Sequence, residues 1–502
     1  MKKTFFTIII ILSLIAFACK QPYETPVKRV NPAGISQVSH VEWAKDAVIY
    51  EVNIRQFSPE GTFEAVKKDL PRLKELGVDI VWLMPVFPIG EMNRKADQTI
   101  LIEEIEIPAE RKKYLGSYYA TKDYLSVNPE YGNPEDFKSL VDKIHELGMY
   151  VILDIAINHT AWDHPWIKEH PDYYTRVHED SVPWNPEWMT EHPEYFRKLK
   201  KLRMTYPINP VEFDWWDVAE LDFDNTELRN EFVKIFIWWI SEYDIDGYRC
   251  DHAHGVPTDF WEELRPELDK VKPVFMLAEA ELPELHKKAF DMSYDWKMHH
   301  ILNAIAQNKK PAWAIAEHLQ WADTSYPDNS WLMQFTSNHD ENSWAGTEFE
   351  RMGQGARTFA VLAATLPDML LIYNGQESAF NERLKFFVKD TIGWGDYRYS
   401  SFYRTLNELK ERNKALLNGT ENGILKVLSS QADSNVFAFS RQAEDDQVLV
   451  ICNLGEYPVD YRLRNNTRIG NMKEVFTGTS RTFKRKTKIS LEPWQYCVYE
   501  NK

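Results

Sequence analysis

The stretch Ile245-Asp246-Gly247-Tyr248-Arg249-Cys250-Asp251-His252 reads as a short buried strand that ends in an arginine and a carboxylate two residues apart. Side chains alternate along a strand, so Arg249 and Asp251 emerge on the same side. A guanidinium in that position keeps the carboxylate ionised and fixes its orientation, which is how an enzyme prepares a carboxylate nucleophile. An isolated Arg-x-Asp is more often a structural ion pair, so the rest of the chain decides. Three more runs end in reactive groups: Asp154-Ile155-Ala156-Ile157-Asn158-His159, Leu277-Ala278-Glu279, and Asn338-His339-Asp340 after an apolar run. Unpaired carboxylates gathered in one cleft repel one another and cost stability, so their convergence points to catalysis.

Bringing these groups together requires strands that share one rim. Val48–Val52, Val78–Met84, Tyr150–Ile157, Asp246–Cys250, Val274–Ala278, a segment near Ser293, Leu332–Thr336 and Met369–Tyr373 are eight near-continuous apolar runs. Amphipathic helices separate them. One ends at Leu76 before Gly77. A second opens at Asn133-Pro134, carries the stripe Phe137, Leu140, Val141, Ile144, Leu147 and stops at Gly148; others span Glu227–Tyr243, Asp259–Leu268 and Ala356–Thr365. Apolar strands alternating with helices are parallel and covered, and eight of them predict a (β/α)8 TIM barrel, with reacting groups at the C-terminal strand ends. The periodicity lapses after Thr160 into a Trp-, His- and Pro-rich segment too long for a simple loop, read as a small inserted domain after strand 3. Beyond a last helix at Ser400–Asn413, alternating runs such as Val436–Phe439 and Val448–Ile451 predict a C-terminal antiparallel β-sandwich domain. The expected organisation is a leader at 1–18, a tether at 19–45, barrel at 46–159 and 216–415, the insert at 160–215 and the β-domain at 416–502.

The four blocks, in this order and on these strands, resemble the signature regions of the alpha-amylase family, glycoside hydrolase family thirteen. Asp154 to His159 resembles its D-x-x-x-N-H block, Gly247 to Asp251 its G-x-R-x-D block, Glu279 its catalytic glutamate and Asn338-His339-Asp340 its N-H-D block. The resemblance implies an α-glucan substrate and cleavage with retention by two carboxyl groups about 5 to 5.5 Å apart. It makes Asp251 the nucleophile, Glu279 the general acid and then base, with a raised pKa, and Asp340 the stabiliser of the oxocarbenium-like transition state. Tyr119, Asp154, His159, Arg249, His254 and His339 become sugar-binding residues, with Tyr119 stacked under the ring and His159 and His339 donating to hydroxyls. The expected activity is hydrolysis of α-1,4 bonds in starch-like glucans or maltooligosaccharides. Action on α-1,6 bonds or cyclodextrins, glycosyl transfer, and a non-catalytic glucan-binding barrel stand as alternatives.

Some positions depart from the family pattern. After its nucleophile the family often carries a basic residue and then His; here Asp251-His252-Ala253-His254-Gly255 brings the His one place early. Asn158 matches a calcium-ligand position, which leaves a structural calcium open; no cofactor is required for the chemistry. Trp215 and Trp216, at the end of the insert, either line a sugar subsite or pack.

The 502 residues carry a formal charge of -17, which argues against nucleic acid or an anionic membrane as the main partner. Met1-Lys2-Lys3 and the apolar run Thr4–Phe17 form an export signal too short to span a bilayer. Ala16-Phe17-Ala18-Cys19 is open to two readings. Ala-x-Ala suits cleavage and release, whereas a small residue before Cys19 resembles a bacterial lipoprotein site. The latter is favoured, with Cys19 lipidated and the protein anchored to the outer membrane, on its periplasmic or cell-surface face. Cys250, Cys452 and Cys497 make no disulfide framework or zinc pattern; Cys452 and Cys497 either pair or, like Cys250, simply pack.

Overall fold

Eight parallel strands close into a barrel because each is apolar on both faces and each is followed by structure that covers its outer face. In this computed structural model, which describes residues 31–176, 208, 215–419, 423–463 and 469–502, the barrel strands are β1 (Ile49–Val52), β2 (Ile80–Leu83), β3 (Tyr150–Ala156), β6 (Gly247–Asp251), β7 (Phe275–Ala278), β8 (Met292–Tyr294), β9 (Trp331–Gln334) and β10 (Met369–Tyr373). Their order around the barrel is β1-β10-β9-β8-β7-β6-β3-β2. All eight expected strands are present. The leader at 1–18, Cys19 with the start of the tether, and most of the insert (177–207 and 209–214) lie outside the described residues.

The inner and outer faces have separate cores. Ile49, Trp82, Ile152, Phe275, Leu277, Met333 and Leu371 fill the interior, and Val41, Ala44 and Ala47 of the segment before β1 join the same cluster. Tyr50, Val81, Leu83, Leu153, Tyr248, Cys250 and Met276 point outward to the helices. Those helices are sharply bounded. Asn133 caps Pro134–Glu146, its side chain accepting from Asp136 N while Asp136 accepts from Asn133 N. Gly77 ends Phe63–Leu76 in the left-handed region, φ 86°.

Strands β4 (His159–Ala161) and β5 (Val218–Glu220) pair antiparallel, forming the neck through which the chain leaves the barrel after β3 and returns. The C-terminal domain has a six-stranded antiparallel sheet ordered β11-β12-β13-β18-β15-β16: β11 (Ile424–Val427), β12 (Val436–Ala443), β13 (Asp446–Asn453), β15 (Gly470–Glu474), β16 (Ser480–Phe483) and β18 (Tyr496–Glu500). A second pair, β14 (Val459–Arg462) with β17 (Lys488–Leu491), shares with it a core that includes Tyr461, Ile489, Met472 and Leu449. Cys452 sits opposite Tyr496, and Cys497 opposite Ile451. Consecutive pairs point to opposite faces of the sheet, so the two cysteines do not meet, and both are free thiols.

Candidate active site

Alternation along β6 puts Tyr248 and Cys250 outside, and Arg249 and Asp251 inside. Register then sets the height of the partners. Asp154 pairs with Arg249, and Cys250 with Ala278, so Asp251 and Glu279 leave adjacent strands at one level. Gly247 allows these strands to approach: a Cβ there would stand 1.9 Å from the Phe275 carbonyl oxygen.

Arg249 is fully enclosed and organises the site. Its Nη1 donates to Asp251 Oδ1 at 2.6 Å and Asp154 Oδ1 at 2.9 Å, its Nη2 lies 3.0 Å from Glu279 Oε2, and its Nε donates to the Tyr294 hydroxyl at 3.2 Å. One guanidinium thus faces three carboxyl groups. Burial, then the like charge of Glu279, push the Asp251 carboxyl well above its usual range, with Arg249 opposing. Burial likewise raises Asp154. Asp154 also accepts from the Tyr119 hydroxyl at 3.0 Å and from Trp82 Nε1 at 3.2 Å.

The fourth block adds a chain of charged groups. His339 Nδ1 lies 2.6 Å from Glu51 Oε1, while its Nε2 lies 2.8 Å from the Tyr119 hydroxyl and 3.2 Å from Asp340 Oδ2. Against the effect of burial, Asp340 and Glu51 raise His339 well above its ordinary value, which makes it an imidazolium. Burial acts to raise Asp340, but His339 and Arg249 outweigh it and hold that carboxyl low. Asp251, Glu279, Asp340, Tyr119, His159 and His254 all line one cleft of about 440 Å³, with Trp215, Trp296, Trp344 and Phe386 among its walls.

Two residues expected to bind sugar do not reach the cleft. Asp154 and Arg249 carry no exposed surface, because the barrel interior closes over them; they orient Asp251, Glu279 and Tyr119 instead. The two histidines also bond within the protein. His159 Nε2 donates to the Tyr119 carbonyl at 3.0 Å, and its Nδ1 is buried without a partner. Burial lowers His159 to about 4, so the ring is neutral. Both nitrogens of His339 are taken by protein groups. Trp215 and Trp216 divide the two roles left open for them: Trp215 lines the cleft, whereas Trp216 is buried and its carbonyl accepts from Trp162 Nε1.

His252 is a contributor that spacing did not reveal. Its backbone is left-handed, φ 44°, and this turns its amide to donate to Glu279 Oε2 at 2.9 Å. Its ring occupies the space over Gly255, where a Cβ would stand 2.3 Å from His252 Cδ2. The glycine in the family's usual His position therefore makes room for a histidine from three residues earlier. Glu51 was readable in principle, as a charged residue within the apolar strand β1.

Asn158 Oδ1 and Nδ2 are buried without partners, yet a calcium ion takes six to eight oxygens and usually several carboxylates. Among the described residues no group of three His, Cys, Asp or Glu could hold a metal.

Known proteins share this architecture. Residues 27–416 match the model of the alpha-amylase catalytic domain, and residues 425–498 that of the maltogenic amylase C-terminal domain. The chain is 25% identical over 468 residues to alpha-amylase MalA of Haloarcula japonica, covering 90% of this chain but 59% of that protein. It is 25% identical to alpha-amylase 3 of Dictyoglomus thermophilum, covering 91% of this chain and 93% of the relative. The crystal structure of a maltogenic alpha-amylase, AmyB from Thermotoga neapolitana, superposes with a TM-score of 0.74 at 26% identity, covering 91% of this chain and 99% of that one. With the catalytic-domain model matched across the whole barrel and the four signature blocks meeting in one cleft, the chain belongs to the alpha-amylase family of glycoside hydrolases.

Proposed function

We propose that this protein hydrolyses α-1,4-glucosidic bonds in starch-like glucans or maltooligosaccharides by double displacement with retention. The observation that carries the reading is the single guanidinium of Arg249 paired with both Asp251 and Glu279. A shared cation suits the short separation of a retaining pair better than the wider gap that seats a water in inverting enzymes. Arg249 engages Asp251 Oδ1, leaving Oδ2 to attack the anomeric carbon of a sugar seated on Tyr119. Glu279 Oε2 is tied to Arg249 and to the His252 amide, leaving Oε1 to protonate the departing oxygen. Once the glycosyl ester on Asp251 has formed, the same Glu279 removes a proton from water, which attacks the anomeric carbon and frees Asp251. Asp340, held anionic by His339, stabilises positive charge at the ring in both steps. The alpha-amylase names of its relatives favour α-1,4 bonds.

The test is reducing-sugar release and product sizing from soluble starch, pullulan and cyclodextrin. Starch should yield maltooligosaccharides, and Asp251→Asn or Glu279→Gln should lose several orders of magnitude in rate, about 10³-fold or more. Near-normal turnover by either variant contradicts the assignment, as does binding of glucan by the wild type without cleavage. The N-terminal sequence further supports export and lipid anchoring at Cys19. Cys19→Ala should move the protein from the membrane to the soluble fraction, and unchanged partition contradicts the anchor.

A further inference from the structure

Glu51 is a carboxylate set inside an apolar strand, on β1 between Tyr50 and Val52, and it carries no exposed surface. Its Oε1 lies 2.6 Å from His339 Nδ1, and its Oε2 is buried without a partner. Enclosing a carboxylate with half its acceptor capacity unused costs stability, so packing alone does not explain the residue. Its effect reaches the reacting centre through His339. The Tyr119 hydroxyl gives its proton to Asp154 Oδ2 at 3.0 Å. At its 2.8 Å contact with His339 Nε2 the hydroxyl therefore accepts, and Nε2 carries a proton. Nδ1, which faces the Glu51 carboxylate, carries one too. The hydrogen-bond pattern thus calls for a ring protonated on both nitrogens, and its Nε2 also lies 3.2 Å from Asp340 Oδ2.

The other charged and titratable groups around this pair are Asp340 beside His339, Asp154 on β3, Arg249 on β6, and Tyr118 and Tyr119 on the loop after β2. Tyr294 on β8 and Tyr373 on β10 face Glu51. Arg249 is already shared by Asp154, Asp251 and Glu279, and His339 is the cation beside Asp340. Burial raises the Glu51 carboxyl, with His339 opposing. The proton between Nδ1 and Oε1 is therefore held from both sides.

We propose that Glu51 is a positioning residue for the reaction: its carboxylate holds the proton on His339 Nδ1, so that a charged ring stays fixed between Tyr119 and Asp340 as the pH rises. The inference rests on the α-glucan hydrolase reading above. Glu51→Gln keeps the shape and a hydrogen bond but not the charge, and its amide can equally donate to a neutral ring. The test is starch hydrolysis by wild type and variant at about pH 6 and about pH 8, either side of the range in which an ordinary histidine loses its charge. The variant-to-wild-type ratio of kcat/KM should fall about ten-fold between the two, because the titration of Glu279 is common to both proteins and cancels. A ratio that is the same at both pH values, whether near one or low, overturns the role, since a merely structural contact would not depend on pH. A second measurement uses wild-type protein isotope-labelled at histidine Cε1. The NMR resonance missing from His339→Gln should keep its charged position at about pH 8, and titration near the ordinary value of about 6.5 overturns the proposal whether or not Glu51→Gln folds. Wild-type protein that releases no reducing sugar at either pH overturns the hydrolase reading itself.

Discussion

At the residue level the site is short of positive charge. Asp154, Asp251 and Glu279 face one Arg249, and burial with like charge raises Asp251. The nucleophile must be ionised to attack, so activity falls as pH drops through this raised value. The acid limb of kcat/KM should therefore lie above the ordinary aspartate value of about 3.9. Stability has the opposite sign. Because the folded state binds this proton more tightly than the unfolded chain, the contribution of Asp251 to stability is lost as pH rises through the folded value. Asp251→Asn should thus melt higher than wild type at neutral pH while losing turnover, and a lower melting temperature contradicts the charge imbalance. Residue types and spacing were enough to predict that Asp251, Glu279 and Asp340 would meet at one rim beside Arg249. They could not show that His159 Nε2 donates to the Tyr119 carbonyl or that the His252 amide reaches Glu279, since ring orientation and a left-handed backbone are set by packing between distant segments.

Among the elements, β6 and β7 carry the two central groups, and their spacing depends on Gly247. Adding one methyl at that position meets the Phe275 carbonyl at 1.9 Å, and backbone cannot swing aside as a side-chain tip can. Gly247→Ala should cost about 1–3 kcal/mol or more and should lower kcat by displacing Asp251 relative to Glu279. A denaturant melt with a kinetic assay checks both, and a variant with native stability and rate contradicts the role. The boundaries of these elements were legible where local chemistry decides them. Asn133-Pro134 opens a helix and Gly77 closes one, both as read. The π-turn at Glu341–Ala345 was not, because it depends on the hydrogen bonds of Asn342 to a loop forty residues away.

Across the whole molecule, the barrel and the C-terminal sheet share one hydrophobic core. Phe437, Phe439, Val448, Val450 and Val498 of that sheet belong to the same core as Phe359, Leu362, Phe402 and Leu409 of the barrel's helices. Buried Arg441 donates to the carbonyls of Leu366 and Leu417, and Arg412 pairs with Glu500 at 2.9 Å. Removing residues 424–502 should expose this surface and leave the barrel insoluble or much less stable; a soluble barrel with an unchanged melting temperature contradicts a shared core. The sequence showed the change from helical to alternating texture near this boundary. It did not show that the two parts share a core, which depends on faces brought together only by the fold.

The most direct test of the central claim is the anomeric form of the first product, followed by proton NMR during fresh hydrolysis of maltoheptaose. Double displacement through Asp251 and Glu279 predicts that the α-anomer appears first and then mutarotates. Initial release of the β-anomer would contradict the covalent intermediate and the assignment of Asp251 as nucleophile.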